Sequence, residues 1–147
     1  MGTELQLKET SIAGVFEIRS LRRQDARGSF ARWFCQQELE QALQGLHIRQ
    51  INHSLNSNAG VVRGLHFQYP PAAEYKLVRC IHGAVMDFVV DLRAGSASFL
   101  QHLSIRLSET EDLMLLIPPG CAHGFQALDC LLYTSPSPRD VEESRMP

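Results

Sequence analysis

From Lys76 to Leu128 the chain is a succession of short apolar runs broken by turn residues, and this spacing restricts the fold more than any other feature. Lys76–Ile81 and Ala84–Leu92 flank His82-Gly83, a tight hairpin signal. Ala94-Gly95-Ser96 turns the chain into Phe99–Leu107, and Glu109-Thr110-Glu111-Asp112 turns it into Leu113–Ile117. Pro118-Pro119-Gly120 then leads into Ala122–Leu128. Strands with a turn about every eight to twelve residues predict an all-β sandwich or barrel, and a jelly roll fits.

The N-terminal half is less regular. Residues 1–10 are polar and predict a frayed start. Val15-Phe16-Glu17-Ile18 has strand alternation, and Asp25-Ala26-Arg27-Gly28-Ser29-Phe30 reads as a turn. Gln36 to Gln44 predicts one short helix, with Leu39 and Leu43 four apart and Gly45 as its C-cap glycine. His47-Ile48-Arg49-Gln50-Ile51-Asn52 resumes strand character before the turn cluster Asn56-Ser57-Asn58-Ala59-Gly60. There is no repeat and no internal linker, and 147 residues suffice for one domain with its own core.

Residues 130–147 break the strand rhythm. On back-translation Cys130-Leu131-Leu132-Tyr133-Thr134-Ser135-Pro136-Ser137-Pro138-Arg139-Asp140 resembles, without a mismatch, the transposase adapter of short-read sequencing libraries. Ser144-Arg145-Met146-Pro147 resembles the next fixed adapter stretch. The expected division is a single domain over 1–129, incomplete at its C-terminus, and a non-native tail over 130–147. The alternative is a Pro/Ser-rich terminus.

A formal net charge of −2 and a pI near 6.3 give no bulk attraction to nucleic acid or to a membrane surface. No apolar run approaches the roughly 18–20 residues of a membrane span, and the polar N-terminus is no signal peptide, so a cytoplasmic location is expected. Cys35, Cys80, Cys121 and Cys130 lack metal-knuckle spacing and read as reduced thiols.

The chemistry concentrates in Val61-Val62-Arg63-Gly64-Leu65-His66-Phe67-Gln68 and in Lys76, ten residues past the histidine. An apolar strand, a Pro70-Pro71 turn and a second strand would set Arg63, His66 and Lys76 on neighbouring strands. Neighbouring cations disfavour imidazolium and leave a neutral base, a useful arrangement for drawing a proton from an anionic substrate. Lys76 would stabilise the enolate that results. Arg63 and Arg27 would clamp hydroxyl or diphosphate oxygens with their planar forks. Asp87 shares a strand face with Val85 and Val89, and a charge so placed needs a partner, for which His123 is the candidate. The bland readings are a hydrogen-bonded strand histidine, exposed strand cations and an aspartate on a wet face. His47, His53, His82 and His102 read as surface or turn residues.

Arg63-Gly64-Leu65-His66, Lys76-Leu77-Val78-Arg79 and Pro118-Pro119-Gly120-Cys121-Ala122-His123-Gly124-Phe125 together resemble the dTDP-4-dehydrorhamnose 3,5-epimerases, sugar-nucleotide epimerases built on a cupin barrel. The resemblance covers roughly Val15 to Leu128 and implies a cupin-type jelly roll. It implies His66 as the base and substrate contacts on Arg27, Gln50, Asn52, Arg63, Lys76 and His123; with the reading of the strands above, Lys76 and Asp87 join His66 as the catalytic candidates. It further implies a dTDP-linked 4-keto-6-deoxy sugar as substrate, inversion at C3, C5 or both, no cofactor, and a homodimer whose N-terminal strands cross between subunits. Metal cupins carry HxH where this chain has His66-Phe67-Gln68, so a metal-dependent oxygenase or isomerase is the runner-up and no metal is expected. A non-enzymatic sugar-binding cupin is a third reading. Arg32 stands where many relatives have Glu, which would suit a different sugar. The acid tyrosine of the family lies about thirteen residues past the HGF histidine; Tyr133 lies ten past His123, inside the adapter-like stretch.

Overall fold

The computed structural model describes residues 2–129. The tail expected at 130–147, Tyr133 and Cys130 lie outside the described residues. Ten strands and one helix follow in the order β1 (Leu5–Glu9), β2 (Phe16–Ser20), β3 (Arg23–Asp25), β4 (Gly28–Phe30), α1 (Gln36–Leu43), β5 (Val62–His66), β6 (Lys76–Arg79), β7 (Ala84–Asp91), β8 (His102–Ser108), β9 (Leu113–Ile117) and β10 (Cys121–Ala127). They form two antiparallel four-stranded sheets, ordered β1-β2-β9-β6 and β5-β10-β7-β8, with β3-β4 as a separate hairpin.

The pattern of apolar residues explains the layering. Val89 on β7, Leu107 on β8 and Cys121 on β10 meet Leu113, Leu115 and Ile117 on β9, with Ile12, Val15 and Cys80, in one core between the sheets. Met114 and Leu116, on the other face of β9, join Leu5 and Ile18 against Leu39, Ala42 and Leu43 of α1. All five residues of β9 are therefore buried, because one alternating set faces the second sheet and the other faces the helix. A continuous apolar run is what such a doubly covered strand requires.

The all-β architecture with one short helix agrees with the sequence reading, and four local expectations are corrected. The start of the chain is not frayed: β1 pairs with β2, and Leu5 is almost wholly buried. Helix α1 stops one residue earlier than expected, with Gln44 in the left-handed C-cap conformation (φ 53°) and Gly45 following it, also left-handed (φ 81°). The stretch 47–52 forms no strand; no partner strand among the described residues takes up its backbone groups, and Ile51 is 86% exposed. Finally, β5 and β6 are not neighbours. The link between them crosses from one sheet to the other, since β5 pairs with β10 whereas β6 pairs with β9. Among the described residues no helix is long and apolar enough to cross a membrane.

Candidate active site

Side-chain alternation on β7 sends Val85, Asp87 and Val89 inward. The register then sets their neighbours: Asp87 opposes Phe125 and Val89 opposes His123 on β10, and across β10 Phe125 opposes Arg63 and His123 opposes His66 on β5. Residues opposed in a ladder share a face. Two rows, Arg63–Phe125–Asp87 and His66–His123–Val89, thus lie side by side on the inner face of one sheet. Lys76 approaches from the other sheet. It precedes the core residues Val78 and Cys80 by two and four positions, and it opposes the core residue Ile117.

The best-defined contact is His123 Nε2 to Asp87 Oδ1, at 2.8 Å. Asp87 is fully buried and the His123 side chain is 11% exposed. Burial pushes the Asp87 carboxyl above the usual carboxylate range, and the His123 contact only partly counters it. Asp87 Oδ2 has no hydrogen-bond partner among the described residues. An aspartate held on one imidazole nitrogen fixes the ring's orientation and tautomer. Because the folded environment raises the Asp87 pKa, this carboxylate costs stability as pH rises through the raised pKa. Asp87→Asn is therefore expected to melt at or above the parent temperature at pH 8 while turning over at least about tenfold more slowly, through loss of the correct imidazole tautomer. Unchanged turnover would remove the orienting role.

Of the eight residues singled out from sequence, the structure brings His66, Arg63, Asp87 and His123 onto one face and sets Lys76 on the facing sheet. His66 is solvent-exposed, whereas Arg63 is held by Asn56 Oδ1 (2.8 Å from Nε) and the Leu55 carbonyl. It does not bring in Arg27, Gln50 and Asn52. Arg27 lies on the exposed β3-β4 hairpin and forks onto Asp25, and Gln50 and Asn52 lie in the exposed irregular stretch. Arg32 pairs with Glu38 of α1, whose other oxygen accepts the Glu4 and Leu5 amides, so Glu38 ties the helix to β1 and Arg32 holds that carboxylate in place. Phe125, inward-facing beside Asp87, was not singled out from sequence; its spacing of two from His123 was the available signal. Among the described residues no group of three or more His, Cys, Asp or Glu is disposed to hold a metal ion.

Two antiparallel sheets closed on an apolar core, with an imidazole and its aspartate on the inner face, define a cupin-type jelly roll. The sequence profile of a family described as dTDP-4-dehydrorhamnose 3,5-epimerase matches residues 9–135. The chain belongs to that family. It is 38% identical to the enzyme of that name from Sinorhizobium fredii over 98% of this chain and 77% of the relative. To the one from Mycolicibacterium smegmatis it is 41% identical over 83% of this chain, spanning 61% of the relative's length. Among solved structures, the epimerase from Elizabethkingia anophelis superposes with a TM-score of 0.80 at 36% identity, over 86% of this chain and 69% of that one. A Legionella pneumophila relative, solved with dTDP-4-keto-L-rhamnose, gives 0.74 at 34% identity, over 86% and 66%.

Proposed function

We propose that the protein is an isomerase that inverts C3, C5 or both in a dTDP-linked 4-keto-6-deoxy sugar. The observation that carries this reading is the inner-face array of His66, His123, Asp87 and Arg63 with Lys76 on the opposite sheet, in a chain of this family. His66 takes the proton from a carbon beside the 4-keto group. The electron pair left behind moves onto the keto oxygen as an enolate, and the Lys76 ammonium stabilises that charge; fixed charge at a developing oxyanion is often the largest catalytic contribution. Arg63 holds the anionic diphosphate end, for which a guanidinium fork is well shaped. Reprotonation on the opposite face inverts the centre and regenerates the ketone, with no net redox change. The proton for this step is proposed to come from a donor that follows Asp129, outside the described residues.

The test uses protein expressed from the source gene, read through the Asp129 codon, with dTDP-4-keto-6-deoxyglucose in D2O. Deuterium at C3, C5 or both is expected. No uptake above background, with dTDP still bound, would leave a sugar-nucleotide-binding cupin instead. A homodimer belongs to the same proposal, in which the exposed hairpin carrying Arg27 and the exposed stretch carrying Gln50 and Asn52 would contact a second subunit. Light scattering at the mass of one chain would count against it.

A further inference from the structure

The inward row that holds the base depends on an irregularity in β5. His123 opposes His66 and Phe125 opposes Arg63, so two steps along β10 match three along β5. In a regular strand, residues three apart face opposite sides. One extra residue in β5 is what lets Arg63 and His66 face the same way, as a β-bulge does beside many active sites. The contact that permits it is glycine against glycine. A Cβ on Gly64 would lie 2.5 Å from Gly124 Cα and 2.8 Å from the His123 carbonyl oxygen, and Gly64 has φ 119°, a conformation few side chains allow. Conversely, a Cβ on Gly124 would lie 2.7 Å from the Arg63 carbonyl oxygen and 3.1 Å from Gly64 Cα.

We propose that Gly124 is a positioning residue for the epimerase reaction: its missing side chain lets β5 close onto β10 in the bulged register that turns Arg63 and His66 together into the site. This deepens the function proposed above and rests on it. Gly124 is the informative position because its backbone lies outside the left-handed region, so alanine there adds a methyl group without a conformational penalty. The methyl group meets the β5 backbone, whereas the other edge of β10 stays paired to β7 at seven positions from Cys121 to Ala127. β5 is an edge strand of its sheet, so it can move off while the sandwich persists.

A displacement of about an ångström at a proton-transferring group can cost roughly a hundredfold in rate. In the D2O assay with protein from the complete gene, Gly124→Ala is therefore expected to lower deuterium uptake about a hundredfold. Affinity for dTDP should change less than about tenfold, because the long Arg63 side chain can follow a shifted backbone while the short imidazole cannot. A second variant, deletion of Leu65, removes the extra residue and leaves Arg63 and His66 two apart on one face. It should retain uptake within about tenfold of the parent, and complete loss in that variant, folded by circular dichroism, would overturn the proposal. So would uptake by Gly124→Ala within threefold of the parent. A parent that takes up no deuterium at all instead overturns the epimerase reading itself, and the positioning role with it.

Discussion

His66→Ala, in protein expressed from the complete gene, is expected to lower deuterium uptake from D2O at least about a hundredfold, the usual scale of losing a positioned general base. The reason lies in the neighbours of His66. On the inner face it has His123 opposite, and His123 is already committed through Nε2 to Asp87, so it is not free to turn and replace the lost imidazole. Arg63 and Lys76 are cationic hydrogen-bond donors that stabilise negative charge and offer no acceptor atom for the proton. His66 is also exposed, so its removal leaves no cavity in the core, and the variant should melt within a few degrees of the parent. A slow, well-folded variant that still binds dTDP assigns the loss to the proton step. Near-normal uptake would remove His66 from the role of base, whatever the family's pattern.

Much of this site was legible in the sequence because alternation is a strong code on a buried strand. Asp87 shares a strand face with Val85 and Val89, which left an inward carboxylate or one on a wet face; the structure buries it, with His123 as its partner. Leu113–Ile117 was likewise legible as a strand, and its cover on both faces came only with the structure. What sequence could not show was which strands share a sheet. The short link from His66 to Lys76 reads as a connection between neighbours, yet it crosses the sandwich, because β9 offers Leu77 an apolar outer face and β10 takes β5. Alternation also misleads at a bulge, since counting by two places Arg63 and His66 on opposite faces. The β-branched Ile48 and Ile51 favour extended backbone but have no strand to pair against among the described residues, so residue type alone predicted a strand where none forms.

The buried charge that the sequence reading passed over entirely is Asp91, and Asp91→Ala is expected to destabilise the domain by about 3–5 kcal/mol, the usual cost of breaking a buried pair from one side. Asp91 is fully buried at the end of β7. Its Oδ1 accepts the Arg93 backbone amide at 2.9 Å and Nε at 2.8 Å, and its Oδ2 accepts Arg93 Nη2 at 3.0 Å and the Ser98 hydroxyl at 2.6 Å. Arg93 in turn donates to the Ala13 carbonyl, and the Ser98 hydroxyl oxygen accepts the Ala13 amide, so one carboxylate fastens the N-terminal loop to the β7-β8 connection. Alanine would leave the half-buried Arg93 and the buried Ser98 without their acceptor, and Tm should fall by roughly 10–20 °C for a domain of this size. Burial alone would push the Asp91 carboxyl up, but the Arg93 guanidinium, the Ser96 and Ser98 hydroxyls and the Arg93 amide together outweigh it and hold the group well below the usual carboxylate range. A group depressed in the folded state stabilises above its unfolded pKa, about 3.9 for aspartate, and loses that contribution as pH falls below it. The gap between parent and Asp91→Ala in urea midpoints should therefore stay constant from pH 8 to pH 5 and narrow below pH 4. A gap that is unchanged at pH 3 would mean that the lost packing, and not the charge, accounts for the effect.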